Sequence, residues 1–254
     1  METRRERGMV LFCALCIFVL APAGLSGDAD AQLFPEDLTL HINSVRSEMP
    51  NGGSKTFTST EYYSRNAMKI APSDGDQTII QFDSEKIISI DNDKKTYSET
   101  TFEQMQEALK NEASEWSQQS GQMQAARKSL GVLDAPGSFT KVGSGETIAG
   151  YSTEEYLIKE GAAKVEIFAA PSLKMPAAYY DVLKMRLHPS PVVDGIKLYD
   201  WMKQMEGIPL KTVTNIKIKD NDITTTRVVT SIDKEDLPAS LFEIPQGYAR
   251  VEAN

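Results

Sequence analysis

The sequence predicts an α+β fold: a curved antiparallel sheet with one long helix and two short helices on its concave side. Three observations carry that prediction. Apolar residues alternate with polar ones in short runs bounded by Gly, Pro, Asn and Asp, the pattern of half-buried strands joined by tight turns. One segment instead repeats its large apolar residues at Phe102, Leu109, Trp116, Met123 and Leu130, which places them on one stripe of a helix. Two later segments, residues 176–187 and 192–206, return to helical spacing.

Residues 1–31 are set aside first. Arg4, Arg5 and Arg7 precede an apolar run from Gly8 to Leu20. Ala29-Asp30-Ala31 supplies small residues for cleavage, and Ala21-Pro22-Ala23 is a second candidate. This is the pattern of a secretory signal peptide, with an apolar run too short to span a bilayer comfortably. Cleavage after Ala31 leaves residues 32–254 as a single exported domain, periplasmic in a Gram-negative bacterium. Both cysteines, Cys13 and Cys16, fall in the leader. The mature chain therefore has no disulfide, thiolate nucleophile or cysteine metal site, and its core alone must hold it together, which a domain of this size can do.

The chain carries 27 Lys and Arg against 36 Asp and Glu, a formal net charge of −9. Without the leader's three basic and four acidic residues the balance is −8. Acidic charge repels phosphate backbones, which excludes nucleic acid as a partner, and it disfavours lasting adhesion to anionic lipid surfaces. The mature chain contains no second apolar run of membrane-spanning length.

Leu38, Leu40 and Ile42 alternate in the first predicted strand. Pro50-Asn51-Gly52-Gly53-Ser54 is a loop, and strands follow over 55–63, 67–71, 78–83, 86–91 and 96–98, separated by Ser73-Asp74-Gly75-Asp76 and Asp91-Asn92-Asp93-Lys94. Their close spacing predicts a meander. The helix over Phe102–Leu130 opens on a capping box, Thr100 with Glu103 or Thr101 with Gln104, and stops at Gly131. A two-chain coiled coil is disfavoured because the second apolar row decays to Ala113, Ser120 and Arg127.

After a linker over 132–137, a strand is expected at Phe139–Val142 and a turn at Gly143-Ser144-Gly145. Thr147–Tyr151 leads into a strand at Tyr156–Ile158, and Gly161 turns the chain into Lys164–Phe168. Pro176–Leu187 carries Tyr179, Val182, Leu183 and Leu187 at helical spacing. Residues 192–206 do the same with Leu198, Trp201, Met202 and Met205, capped by Gly207. A long hairpin, 208–218 with 223–232, turns through Lys219-Asp220-Asn221-Asp222. The tail, Leu241–Tyr248, sets apolar residues among Pro245 and Gly247.

Several chemistries lack their motifs. Asp91-Asn92-Asp93 and Asp220-Asn221-Asp222 read as turn residues, because a calcium-binding loop also needs a glycine and a distal Glu between helices. His41 and His188 are the only histidines and stand too far apart in sequence to suggest a zinc site. No nucleophile elbow, phosphate loop or dinucleotide fingerprint is present. The expectation is a protein that is not an enzyme and needs no cofactor or metal.

Two stretches carry a family resemblance. The first is Glu146-Thr147-Ile148-Ala149-Gly150-Tyr151 with Glu155-Tyr156 and the strand Val165-Glu166-Ile167-Phe168. The second is Gly207-Ile208-Pro209-Leu210, the long hairpin, and Leu241-Phe242-Glu243-Ile244-Pro245-Gln246-Gly247-Tyr248. Together they resemble an exported bacterial family of unknown function, itself similar to the outer-membrane lipoprotein carrier and sorting superfamily of LolA and LolB type. The resemblance implies a half-open β-barrel with helices plugging its concave side, and a lipid, acyl chain or lipoprotein held there. It transfers no functional residue. Gly150 reads as a tight turn, and Pro245 and Gly247 as the final bend.

The candidate ligand-lining residues are the flexible and aromatic ones on the helices. The long helix offers Phe102, Met105, Leu109, Trp116 and Met123; the later segments offer Met175, Tyr179, Tyr180, Trp201, Met202 and Met205. Methionine adapts to irregular ligands, and aromatic rings bury large area at low entropic cost. The same residues also suit an ordinary core. The alternative function is therefore an envelope interaction or stress-sensing protein with a filled core and a protein partner. A hydrolase ranks third.

Overall fold

The computed structural model describes residues 34, 36–47, 53–118, 120–130, 132, 137–175, 182, 195–202, 204–219 and 221–253; of 112, 113, 115–118, 120, 123, 195, 196, 198 and 199 it describes the backbone. The expected leader and, apart from Val182, the short helix expected over 176–187 lie outside these residues.

The strands are β1 (Leu38–Ser47), β2 (Ser54–Ser64), β3 (Ala67–Pro72), β4 (Gln77–Gln81), β5 (Lys86–Asp91) and β6 (Thr96–Thr101). After two helices come β7 (Ser138–Ile148), β8 (Tyr151–Glu160), β9 (Ala163–Ala170), β10 (Ile208–Ile218), β11 (Asn221–Asp233) and β12 (Ala249–Arg250). They form one open curved sheet of 12 strands, ordered β12-β6-β5-β4-β3-β2-β1-β11-β10-β9-β8-β7. Two antiparallel meanders, β1–β6 and β7–β11, meet where β1 pairs β2 on one side and β11 on the other. β1 is thus the seam of the sheet. Its alternation is why: Leu38, Leu40 and Ile42 are buried on one face while His41 and Asn43 turn to the other.

The described residues of the helical segment are α1 (Phe102–Gln118) and α2 (Ser120–Leu130), and position 119 lies outside them. Of the two capping boxes the sequence offered, the second forms. Gln104 N–H donates to Thr101 Oγ1 at 3.1 Å, and Thr101 N–H donates to Gln104 Oε1 at 2.9 Å. α1 meets the sheet at its first turn, where Phe102 N–H donates to Glu85 O and the Phe102 ring packs edge-on to Phe82. At the far end Lys219 N–H, in the β10–β11 turn, donates to Leu130 O at 3.3 Å. α3 (Gly195–Met202) lies within the second segment expected to be a short helix, residues 192–206.

Each face of the sheet carries its own core. The inner face, which the helices touch, holds Phe34, Leu38, Leu40, Tyr63, Met68, Ile80 and Ile87 in the first meander. In the second it holds Tyr156, Ile158, Val165, Ile167, Ile208 and Val229. The outer face of the first meander holds Ile79, Ile88 and Ile90. The two neighbours Ile79 and Ile80 belong to different cores because successive side chains point opposite ways. The register agrees: Ile79 faces Ile88 and Ile80 faces Ile87.

The C-terminal tail seals the outer core. A single 3-10 turn, Ala239–Phe242, buries Phe242, and Leu237, Leu241, Ile244 and Tyr248 pack around it. Leu237 N–H donates to Asp37, Gln81 Nε2 donates to Phe242 O, and Tyr248 OH donates to Asn92. The tail ends as β12, parallel to β6, and so covers that sheet edge.

Lys69 lies on the same outer face, paired in register with Tyr62 and Ile79. Burial holds its pKa below the ordinary 10.5. The folded protein then binds fewer protons at Lys69 than the unfolded chain does between the lowered pKa and the ordinary one. Stability should therefore rise with pH across that alkaline window. Lys69→Met is expected to raise the melting temperature at neutral pH by a few degrees and to flatten the alkaline rise, as a thermal scan against pH would show.

One turn differs from the sequence expectation. Gly143-Ser144-Gly145 does not turn the chain; it lies inside β7 at two irregularities in the pairing with β8. Gly143 takes φ +140°. A Cβ at Gly145 would stand 2.6 Å from Thr153 Oγ1 and 2.8 Å from the Phe168 ring, so glycine there serves a bulge and a close approach. The reversal comes at Ala149-Gly150, both at positive φ, a two-residue hairpin turn. Gly207, expected as a helix cap, is constrained further: its φ is +87° and a Cβ would lie 1.9 Å from the Ala170 carbonyl oxygen. Gly207→Ala should destabilise by more than about 1 kcal/mol in denaturant titrations.

Candidate ligand site on the inner face

The inner face between sheet and helices is built from three groups of side chains. In the first meander, Phe34 stands 5.2 Å from Tyr63 and 6.2 Å from Phe82, centroid to centroid, and Phe82 stands 6.4 Å from Phe102. Tilted and edge-on contacts of this kind suit aromatic quadrupoles. In the second meander, Tyr156 stacks on Phe139 at 5.6 Å, and Trp201, Met202 and Met205 from α3 and the turn after it pack on the same core.

Between them is a buried polar centre. Arg227 Nη2 donates to Glu61 Oε2 at 2.8 Å, Tyr63 OH donates to the same oxygen at 2.6 Å, and Arg227 Nη1 donates to Pro209 O at 3.3 Å. The Glu61 and Arg227 side chains are 3% and 8% exposed. They come from β2 and β11, which are separated by β1, so the ion pair bridges the seam over the top of that strand. Thr212, opposite Arg227 in register, and Thr214 are also buried. Pro209 has no N–H to give the ladder, and the β9–β10 pairing slips beside it.

Tyr156 ties the outer strands to the end of α3. It donates to Glu154 Oε2 at 2.8 Å and accepts from Glu206 N–H at 3.3 Å. Burial raises the pKa of this phenol above its ordinary range, partly countered by the Glu206 N–H. The Lys141 ammonium, then the Tyr156 hydroxyl, hold the Glu154 carboxylate below the usual range.

The residues expected to line a ligand site fall into three sets. Met202 and Met205 are buried in the inner core, and Phe102, Met105, Met175 and Trp201 pack against it half-buried. Leu109 is half-buried. The side chains of Trp116 and Met123, and all of Tyr179 and Tyr180, lie outside the described residues. Phe34, Tyr63, Phe82, Phe139 and Tyr156 were missed. Tyr63 and Tyr156 could have been found from strand alternation, since each sits two residues from another inward side chain. Glu61 and Arg227 had no local signal, being 166 residues apart.

His41 pairs with Asp233 at 3.0 Å on the outer face, and His188 lies outside the described residues. At the β5–β6 turn, Asp91 accepts from Lys94 N–H at 2.8 Å and pairs with the Lys94 ammonium. Among the described residues no group of three or more His, Cys, Asp or Glu side chains is placed to hold a metal, and no helix is long and apolar enough to cross a membrane.

A family model described as Domain of unknown function (DUF4412) matches residues 106–248, more than half of the chain. No curated protein matches the sequence. Among solved structures, an uncharacterized conserved protein from Thermus thermophilus is similar at TM-score 0.44 and 6% identity, over 86% of this chain and 91% of that one. PNGF-II is similar at TM-score 0.40 and 13% identity, over 85% of this chain and 31% of that one. A LolA superfamily protein from Nitrosomonas europaea is similar at TM-score 0.34 and 8% identity, over 85% and 94%. None of the three reaches a TM-score of 0.5, and the functional reading rests on this chain's own residues.

Proposed function

The chain belongs to the DUF4412 family, and on that premise we propose that it is an exported, periplasmic, non-catalytic binding protein. Its ligand is a lipid, an acyl chain or the acylated end of a lipoprotein, held between the inner face and the helices. The observation that carries this reading is the character of the cover. Phe102, Met105, Met175 and Trp201 are half-buried against a fully buried apolar floor that includes Met68, Ile158 and Ile167. A cover of flexible and aromatic side chains re-packs around an irregular apolar guest at little cost.

Tethering supports the same reading. α1 and α2 are held by the Phe102 N–H bond to Glu85 at one end and the Lys219 N–H bond to Leu130 at the other. The described side chains of α1 from Gln106 to Ala108 and of α2 from Gly121 to Ala125 are exposed. Exposed backbone segments with few buried contacts open at low free-energy cost, which suits admission of a guest.

Titration with a fluorescent fatty acid, and native mass spectrometry after gentle purification, test the proposal. Saturable uptake is expected, with Trp201→Ala and Met105→Ala each weakening it severalfold while the fold is kept. A clean apo mass with no uptake overturns it. The second reading, a filled core that presents a surface to a protein partner, is favoured by the complete burial of Tyr63, Met68, Val182 and Met202. Crosslinking in intact cells to one dominant protein, without lipid uptake, would select it.

A further inference from the structure

On the acyl-binding reading, we infer that the inner face takes an acyl anion, a chain ending in a phosphate or a carboxylate, and that Arg46 and Lys55 receive the charged end. Along β1 the inner-face residues continue from Leu40 and Ile42 to Ser44 and Arg46. Arg46 stands opposite Lys55 of β2 in the register, so two cations share one face with their Cβ atoms about 5 Å apart. Arg46 is half-buried and Lys55 exposed, which leaves both within reach of a ligand arriving from solvent.

Like charges directly opposite each other on a sheet are destabilising. The described strands hold one other such pair of cations, Lys159 opposite Lys164, and there Glu166 accepts from the Lys164 ammonium at 2.6 Å. Arg46 and Lys55 have no carboxylate partner among the described residues; the Lys55 ammonium lies 4.9 Å over the Phe57 ring. The chain holds 36 acidic residues against 27 basic ones, so carboxylates to neutralise this pair were plentiful. A bound anion would remove the repulsion.

The two cations head an amphipathic row. The cross-strand register runs Lys55, Arg46, Thr225, Thr214, Val165 and Ile158, from β2 to β8. Cations give way to two threonines and then to Val165 and Ile158 of the fully buried floor. Five strand spacings carry the row over about 24 Å, the scale of an extended long acyl chain. A chain laid across the strands has its charged end on Arg46 and Lys55 and its methylenes on the floor. A guanidinium and an ammonium only donate, which suits the oxygens of a phosphate or a carboxylate. A neutral acylglycerol gains no charge-assisted bond from them.

Calorimetry on the purified protein with submicellar oleate, oleoyl lysophosphatidate, monoolein and inorganic phosphate tests this. At least one of the two acyl anions is expected to bind about tenfold or more tighter than monoolein, a preference that shrinks as salt is raised. Oleate against lysophosphatidate tells carboxylate from phosphate, and inorganic phosphate should bind far more weakly than either. Arg46→Gln and Lys55→Gln should each cut the preference severalfold, and the double variant should erase it, with monoolein affinity unchanged. Each single variant should keep or raise the melting temperature, because it relieves the repulsion. Lys55→Gln, at an exposed position, serves if Arg46→Gln fails to fold. Monoolein binding as tightly as both anions overturns the inference and leaves the acyl-binding reading standing. An anion preference that survives the double variant also overturns it, as does inorganic phosphate binding as tightly as the acyl anions. No binding of any of the three acyl ligands overturns both.

Discussion

Arg227→Met should cost about 3–5 kcal/mol of stability. The guanidinium donates to Glu61 and to the Pro209 carbonyl in a site where both charged side chains are almost fully buried. Removing it leaves the Glu61 carboxylate without its cation, and desolvation makes that far worse than losing the pair's net attraction. The double variant Glu61→Leu with Arg227→Met should recover most of the loss, because apolar groups of similar size replace a buried ion pair at little net cost. Urea titrations of the wild type, both single variants and the double variant form the cycle. A loss in the double variant equal to the sum of the two single losses would show that the pair is not coupled as the distances imply. Because the pair spans β1, the defect should loosen the joint between the two meanders first, which hydrogen exchange of β1 and β11 amides would register.

Phe242→Ala should cost about 3–5 kcal/mol. Phe242 is 6% exposed and caps Ile79, Ile88 and Ile90, which among the described residues no α-helix covers. The cavity left cannot close easily, because the 3-10 turn is pinned by Gln81 to the Phe242 carbonyl and by Asp37 to Leu237 N–H. Truncation before Leu237 should do more than destabilise. It bares an apolar sheet face and strips β12 from β6, together a template for edge-to-edge association. Light scattering during a thermal ramp should show early aggregation of the truncated protein. A truncated protein that stays monomeric with a wild-type melting temperature would remove the tail from the core.

Much of this fold was legible in local patterns. The alternation of Leu38, Leu40 and Ile42 announced a strand with one buried face, and each lies at or below 3% exposure. The capping box at the start of α1 was narrowed to two choices. The second prevailed because β6 runs through Thr101, paired with Lys86, and the helix can begin only where the ladder ends. The long hairpin of β10 and β11 was plain from its two Ile- and Val-containing runs. The Gly143-Ser144-Gly145 stretch misled because glycine marks both turns and bulges, and only the fit against Thr153 and Phe168 separates them.

The candidate site was half legible. Trp201 and Met202 end α3 and Met205 follows in the turn after it, and all three pack on the inner core, although the shared face expected over residues 192–206 stops with the helix at Met202. The aromatic floor was harder, since Phe34, Phe82 and Tyr156 come from separate strands and meet only when the sheet is assembled. The neighbours Ile79 and Ile80, and likewise Ile87 and Ile88, divide between the two cores. Nothing local said that the tail, more than 140 residues later, would cover one of them.

The sequence by itself determined most of the described strands and the helical character of residues 102–130, because a period of two or of 3.6 residues is a property of neighbours along the chain. It also determined that both cysteines fall within the first 31 residues and that the chain is acidic. Only the tertiary structure decided that β1 is the seam, that Glu61 and Arg227 pair across it, and that the tail seals the outer face. Those facts depend on which strands lie side by side, and that is set by the total burial of apolar area and the pairing of buried charge over the whole sheet.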